Sequence, residues 1–100
     1  MMWTIQSVQP VDAGLTFRIL PGSIKTMGRA KRSDFIVENF LLSRAHCRFT
    51  LTSGNELTVE DLDSTNGTFV NGKKVQQWKL VSGDRVKVGR VEFEVTAGGI

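Results

Sequence analysis

The sequence has few of the residues that form disulfides or bind metal ions in small domains, and it has no long apolar run. It contains one cysteine, Cys47, and one histidine, His46, in 100 residues. A single cysteine excludes an intrachain disulfide, and this pair cannot supply a zinc site of the usual Cys/His kind. No apolar run approaches the roughly 18 residues of a membrane span. We therefore expect no metal, no cofactor and no membrane association, and a reducing intracellular compartment, cytoplasmic or nuclear.

Helical periodicity is also missing. No window of about eleven residues keeps apolar side chains at helical spacing without an interrupting Gly, Pro or Ser cluster. Short β-prone runs, many alternating apolar with polar residues, are instead separated by turn residues; they cover 3–8, 15–20, 24–27, 35–37, 45–52, 56–62, 68–75, 78–80, 85–88 and 91–95. Many short strands with frequent turns predict an all-β sandwich or barrel.

The length predicts one domain with a modest core. We expect this domain to cover residues 1–96, to be monomeric when isolated, and to be followed by a short tail at 97–100. The residues predicted to be buried in it are Trp3, Phe17, Cys47, Phe49, Trp78 and Phe93, because each falls in an apolar or alternating run.

Positive charge is concentrated in one window. The chain carries 13 Lys and Arg against 10 Asp and Glu, a formal charge of +3. Between residues 25 and 44 the only acids are Asp34 and Glu38, whereas the cations there are Lys25, Arg29, Lys31, Arg32 and Arg44. A surface that binds an anionic partner would begin in this window.

The segment from Asp61 to Gly72, DLDSTNGTFVNG, contains two Asn-Gly pairs. The second pair, Asn71-Gly72, lies between two β-prone runs and predicts a two-residue hairpin turn. Around the first pair, residues 64–66 place two hydroxyls and a carboxamide on a bend that follows a predicted strand. Polar bends at strand ends are frequent binding sites.

Three polar clusters stand at predicted strand ends, at 28–29, 43–46 and 63–68. In a sandwich their loops can gather at one end. Such an assembly would combine guanidinium groups, which bind phosphate oxygens, with hydroxyl donors and a carboxamide that can pair with a peptide main chain. A phosphorylated side chain on an extended peptide suits this chemistry.

These blocks resemble the forkhead-associated (FHA) domain, a family of phosphothreonine-peptide readers. The resemblance rests on GR at 28–29, SRAH at 43–46, VEDLDSTNGTFVNG at 59–72 and LVSGDRVKVG at 80–89, in this order. It implies an FHA/SMAD-like β-sandwich of two mainly antiparallel sheets, with about eleven strands and the binding loops at one end. Its implied function is phosphothreonine-dependent protein–protein interaction in signalling, without catalysis.

The resemblance also implies roles for single residues. Arg29, Ser43 and Thr65 match phosphate-binding positions, and Asn66 matches the asparagine that hydrogen-bonds the peptide main chain. Arg44 stands where a long polar residue supports phosphate or backbone contacts. From the residues alone, Arg29 could equally be a solvated cation, and the hydroxyls and Asn66 could close their own turns.

Three further positions match residues that support the loops. Gly28 and Gly67 match turn glycines, and His46 matches a histidine that braces the loops without touching ligand. A catalytic alternative would pair His46 with Ser43. We favour the structural role, because SRAH leading into a strand provides neither a nucleophile elbow nor an oxyanion hole.

Two leucines precede the SRAH block, Leu41 and Leu42. In the resembled family the residue three places after the phosphothreonine often sets specificity, and this loop is one place where it is read. The resemblance therefore gives the hypothesis that both leucines favour an apolar residue there. Lys31 and Arg32 are interpreted as rim charges that steer an anionic peptide.

A nucleic-acid binder is the alternative function. It is motivated by a pI near 9.4 and by the cationic window. Against it stand the modest net charge and the lack of a recognition-helix pattern or of aromatics interleaved with basic residues.

Overall fold

The computed structural model describes residues 2–8 and 14–98, and every regular element in these ranges is a β-strand. The strands are β1 (Trp3–Ser7), β2 (Thr16–Ile19), β3 (Ser23–Gly28), β4 (Phe35–Ile36), β5 (Cys47–Leu51), β6 (Leu57–Asp61), β7 (Thr68–Val70), β8 (Lys73–Val75), β9 (Gln77–Leu80), β10 (Arg85–Val88) and β11 (Val91–Ala97). In this described part no helix is long and apolar enough to cross a membrane. The prediction of an all-β fold with about eleven strands is confirmed.

The strands form two sheets that pack as a sandwich. One sheet has six strands in the order β2-β1-β11-β10-β7-β8, and the other has five in the order β4-β3-β5-β6-β9. All pairs are antiparallel except β3 with β4. Alternate residues of the central strands β5, β6, β10 and β11 are buried, as expected for strands with one face on the core and one in solvent.

The core contains side chains from both sheets. The rings of Phe17 and Phe35 stack at 4.7 Å between centroids, and Phe49 and Phe93 extend this group on either side. Cys47 is fully buried, and burial, with a further contribution from the Asp61 carboxylate, raises the pKa of its thiol. The predicted core positions are confirmed for Cys47, Phe49, Phe93 and Trp3, while Phe17 is partly buried against the core.

Trp78 is the exception among the predicted core residues, since 39% of it is exposed. It is paired with the buried Val59, so its side chain faces inward as expected. However, β9 is the edge strand of its sheet, so one flank of the ring has no neighbouring strand among the residues that the structure describes. The ammonium group of Lys73 lies 5.4 Å from the ring centroid. The prediction that Trp78 is buried in the core was wrong, because an alternating pattern does not reveal that a strand lies at the edge of its sheet.

The turn between β7 and β8 agrees with the sequence prediction, and strand β11 continues past residue 96. Asn71 and Gly72 have φ angles of 51° and 84° and close the β7–β8 hairpin. Strand β11 includes Ala97, which pairs with Trp3. The sheet thus extends one residue into the predicted tail, and residues 99–100 lie outside the described residues.

Candidate functional site

The first two polar clusters lie side by side. The amide of Arg29 donates to the Ser43 carbonyl at 3.1 Å, and the amide of Ala30 donates to the Arg44 carbonyl at 3.2 Å. A third main-chain hydrogen bond joins the same two segments, from the His46 amide to the Met27 carbonyl at 2.9 Å. Residues 27–30 and 43–46 are therefore held together by main-chain hydrogen bonds.

Gly28 makes this close approach possible. A Cβ atom added to it would lie 2.0 Å from the Arg44 carbonyl oxygen and 2.8 Å from the Arg44 carbonyl carbon. Gly28 ends strand β3 and is not among the residues with positive φ. The expectation of a turn glycine was therefore wrong here. The position requires glycine because a neighbouring backbone occupies the space of a side chain.

The Arg29 side chain is oriented by the neighbouring loop. Its Nε group donates to the Leu42 carbonyl at 3.1 Å. The two Nη groups donate to no acceptor in the described part of the chain, and Arg29 is exposed. One edge of the guanidinium is thus fixed, and the other is free to bind an anion with two parallel hydrogen bonds.

The third cluster reaches the second through Ser43 and Thr65. Ser43 Oγ accepts a hydrogen bond from the Thr65 amide at 2.8 Å, and the Ser43 hydroxyl donates a long hydrogen bond to Thr65 Oγ1 at 3.4 Å. The amide bond fixes the Ser43 oxygen, so its hydroxyl can turn its proton from this long contact to an anion, and the exposed Thr65 hydroxyl keeps its own proton to donate.

Asn66 connects the third cluster to the segment ahead of Ser43. Its Nδ2 group donates to the Leu41 carbonyl at 2.7 Å. Its Oδ1 accepts no hydrogen bond from the described residues, and the side chain is exposed. The carboxamide is therefore held in one orientation with an acceptor, and its second N–H, left for another chain.

His46 is fully buried between the clusters. Its Nδ1 accepts from the Ser43 amide at 3.1 Å, which leaves Nε2 protonated to donate to the Gly67 carbonyl at 2.8 Å. The ring contacts the main chain of Ser43, whereas the Ser43 hydroxyl is bonded to Thr65. This geometry matches the bracing role predicted for His46 and does not make it a base for Ser43.

Asp61 organises the third cluster, a role that the sequence analysis missed. Its carboxylate accepts from the Ser64 hydroxyl at 2.5 Å, from the Ser64 amide at 3.1 Å and from the Thr68 hydroxyl at 2.8 Å. Burial opposes its ionisation, but these hydrogen bonds hold the pKa of Asp61 below its ordinary value. The available signal was the spacing D-x-x-S, which is typical of a side chain that caps a turn.

Gly67 completes this bend. Its φ of 90° lies in the region that favours glycine, and a Cβ there would meet Lys74 Cε at 2.8 Å. Its amide donates to the Ser64 hydroxyl at 2.9 Å. This geometry is that of a turn glycine.

The remaining predicted cations surround an open cavity of about 700 Å³ beside Arg29. Arg44, Lys31 and Arg32 line it and are exposed. The nearest acid in sequence, Asp34, accepts from the amide and the hydroxyl of Thr26 at 2.9 and 3.2 Å. The bond from the Thr26 amide is the largest of the effects that hold the pKa of Asp34 below its ordinary value.

The two leucines proposed for specificity differ in exposure. Leu42 is 2% exposed and belongs to the core, so a role in contacting a ligand was wrong for this residue. Leu41 is partly buried, and its carbonyl is bound to Asn66. The neighbouring Phe40 is 86% exposed, and the sequence analysis did not single it out. The sequence feature that indicates its exposure is its position as an aromatic residue in a connecting loop, outside any alternating run.

The structure thus brings all three predicted clusters to one end of the sandwich. They present one guanidinium edge, two hydroxyl groups and a carboxamide on a scaffold of main-chain hydrogen bonds. Among the described residues, no group of three or more His, Cys, Asp or Glu side chains could hold a metal ion. The arrangement suits an anion with several oxygen acceptors, attached to a chain whose backbone can meet the carboxamide.

Comparison with curated proteins identifies several relatives of this chain. Over 87 residues the chain is 36% identical to the glycogen accumulation regulator GarA of Mycobacterium tuberculosis, a match that covers 87% of this chain and 52% of that protein. It is 32% identical over 87 residues to the oxoglutarate dehydrogenase inhibitor of Corynebacterium glutamicum, covering 87% of this chain and 59% of that protein. The chain therefore spans about half the length of these curated relatives.

Solved structures and a family model agree with this result. A structure from a study of phosphothreonine-dependent FHA domain interactions superimposes with a TM-score of 0.89 at 30% identity, covering 100% of both chains. The crystal structure of the FhaA FHA domain complexed with the intracellular domain of Rv3910 gives a TM-score of 0.83 at 32% identity, covering 93% of this chain and 98% of that chain. The family model of the FHA domain matches residues 25–89. This chain therefore belongs to the FHA domain family.

Proposed function

We propose that this chain is a phosphothreonine-dependent peptide-binding module that acts in signalling and has no catalytic activity of its own. The observation that carries the proposal is the convergence of Arg29, Ser43, Thr65 and Asn66 at one end of the sandwich, with their donor groups directed by hydrogen bonds. The similar structures support it, since one was studied for phosphothreonine-dependent interactions and another holds a partner's intracellular domain.

Each residue has a specific part in the proposed binding. The free edge of Arg29 binds two phosphate oxygens, and the Ser43 and Thr65 hydroxyls donate to phosphate oxygens as well. Asn66 pairs with the peptide main chain beside the phosphothreonine. Arg44 adds a charge to the phosphate or a hydrogen bond to the peptide backbone. Gly28, His46 and Gly67 hold the loops and do not contact the ligand.

The hydrogen bonds already present reduce the cost of binding. Arg29 and Asn66 each use one donor to bind a main-chain carbonyl, at 3.1 and 2.7 Å. Side chains held in this way lose less rotamer freedom when the ligand arrives. One charge-assisted hydrogen bond contributes about 1.5 to 3 kcal/mol. Two of them from Arg29 are therefore large beside the roughly 8 kcal/mol of a micromolar complex.

The test compares three peptides of one sequence that carry phosphothreonine, phosphoserine or threonine at the same position. Binding is measured by fluorescence anisotropy or calorimetry at physiological salt. We expect the phosphothreonine peptide to bind and the threonine peptide not to bind. Substitution Arg29→Ala should reduce the affinity for the phosphopeptide at least about tenfold, since a loss of 1.4 kcal/mol already corresponds to that factor.

The matched control is Arg18→Ala, which removes the same charge from the exposed outer face of the six-stranded sheet. It should bind like the wild type. Equal binding of the phosphorylated and unphosphorylated peptides to the wild-type protein would refute the proposal. Salt-sensitive binding of DNA or RNA without any phosphopeptide binding would instead favour the nucleic-acid alternative.

A further inference from the structure

The cavity beside Arg29 contains more positive charge than a single phosphate requires. It is lined by Thr26, Arg29, Ala30, Lys31, Arg32, Ser33, Arg44 and Ala45. Four of these eight residues are cationic, and none is acidic. The turn that closes its outer wall is fixed, because the Ser33 amide donates to the Ala30 carbonyl at 3.0 Å and the Ser33 hydroxyl donates to the Arg44 carbonyl at 3.2 Å.

The cations of the cavity also lack counter-ions within the described part of the chain. The ion pairs found there are Arg48 with Glu60, Lys79 with Glu56 and Arg85 with Glu92, and all three lie on sheet strands or next to one. Asp34, the acid nearest to Lys31 and Arg32 in sequence, does not line the cavity and accepts hydrogen bonds from Thr26. A set of cations that is gathered around a concave surface and left unpaired attracts an anion from outside the chain.

This cavity adjoins the proposed phosphothreonine site but is distinct from it. Arg29 and Arg44 line the cavity, whereas Ser43, Thr65 and Asn66 do not. Arg29 therefore borders both the proposed phosphothreonine site, with its hydroxyls and carboxamide, and the cavity that contains Lys31 and Arg32. A ligand that fills only the first site would leave Lys31 and Arg32 without a partner.

We propose that the cavity is a second anion subsite, which binds another phosphorylated or carboxylate side chain of the same peptide. This inference rests on the proposed function, because the phosphothreonine fixes where the peptide enters. An extended peptide advances by about 3.4 Å per residue, so a subsite that shares Arg29 with the first must be reached within a few residues. Asn66, which is proposed to pair with the peptide main chain, and Leu41 lie outside the cavity. The peptide should therefore reach the subsite with residues on only one side of the phosphothreonine.

A phosphate should fill this subsite better than a carboxylate. A phosphorylated side chain carries about 1.5 to 2 negative charges at neutral pH and three acceptor oxygens, whereas a carboxylate carries one charge and two oxygens. Lys31 and Arg32 can each donate to one of these oxygens, and Arg44, which lines the same cavity, adds a further cation.

The experiment uses phosphothreonine peptides that carry a second phosphoserine at each position from four residues before to four residues after the phosphothreonine. A parallel set carries glutamate at these positions. The dissociation constant of each is compared with that of the singly phosphorylated peptide at physiological salt. We expect about a tenfold or greater gain at one or two positions on one side, a smaller gain with glutamate at the same positions, and no gain on the other side.

The double variant Lys31→Ala/Arg32→Ala should abolish this gain and change the affinity for the singly phosphorylated peptide less than about threefold. Its matched control is Arg18→Ala/Lys87→Ala, which removes the same charge from exposed positions on the outer face of the six-stranded sheet and should keep the gain. A gain lost equally in both double variants would indicate general charge attraction and overturn the subsite.

The two proposals fail in different ways. Normal binding of the singly phosphorylated peptide, with no gain from a second anion at any position, would overturn only the second subsite. Absence of all phosphopeptide binding would overturn the proposed function and the subsite together. Binding of nucleic acid that Lys31→Ala/Arg32→Ala removes, without a gain for the doubly phosphorylated peptides, would assign the cavity to a different ligand.

Discussion

Substitution Gly28→Ala tests whether the contact between the first two polar clusters builds the site. The added methyl group would lie 2.0 Å from the Arg44 carbonyl oxygen, and real Cβ atoms essentially never approach closer than 3.0 Å. The two segments would therefore have to separate by about 1 Å. The hydrogen bonds from the Arg29 and Ala30 amides, at 3.1 and 3.2 Å, would then lengthen to about 4 Å and be lost.

The expected cost follows from these contacts. Inserting a methyl group into a close-packed site costs about 1 to 3 kcal/mol, and each of the two main-chain hydrogen bonds contributes about 0.5 to 1.5 kcal/mol. The free energy of unfolding should thus fall by about 2 to 6 kcal/mol, a large part of the roughly 5 to 15 kcal/mol of a small domain. Affinity for the phosphopeptide should fall as well, because Arg29 and Ser43 move apart.

Urea denaturation followed by tryptophan fluorescence measures the stability, with the buried Trp3 as a reporter of the core. Gly54→Ala is the matched control. A Cβ on Gly54 meets only Thr52 Oγ1 at 3.7 Å, an ordinary contact, and Gly54 has no positive φ. This variant should be as stable as the wild type or slightly more stable. If Gly28→Ala matched Gly54→Ala in both stability and peptide affinity, the proposed role of Gly28 would be wrong.

Two further predictions concern Asp61 and the loop ahead of Ser43. The folded-state pKa of Asp61 lies below its ordinary value, near 3.9, so the ionised carboxylate stabilises the fold at neutral pH, and this stabilisation is lost as the pH falls through and below that value. Between pH 7 and pH 2, the free energy of unfolding should therefore decrease less in this acidic range for Asp61→Asn than for the wild type. Equal dependence of the free energy of unfolding on pH in both proteins would refute the role of Asp61. Leu42→Ala should lower the free energy of unfolding by about 2 to 5 kcal/mol, whereas Phe40→Ala should change it by less than about 0.5 kcal/mol. Because Phe40 is 86% exposed and directly precedes Leu41, we predict that Phe40→Ala changes which apolar residues a peptide library prefers after the phosphothreonine, and an unchanged preference would refute this prediction.

The sequence by itself determined the fold class and the place of most strands. Alternating runs such as Val91–Val95 and turn pairs such as Asn71-Gly72 act locally, through side-chain direction and backbone φ, so both are visible in the chain. The order of the three polar clusters also sufficed to predict the family. Local patterns could not predict the exposure of Trp78, because this exposure depends on β9 lying at the edge of its sheet.

The tertiary structure alone decided how the clusters form one site. Gly28 is required by the Arg44 backbone, 16 positions away in sequence, and His46 joins Ser43 to Gly67 by hydrogen bonds from the two sides of its ring. Leu42 faces the core and Phe40 the solvent although both are apolar residues of one loop. Such contacts depend on which strands pair and at what register, and a sequence read residue by residue does not contain these distances. The residue types of the anion site could therefore be predicted, but its preorganisation and its neighbouring cationic cavity required the fold.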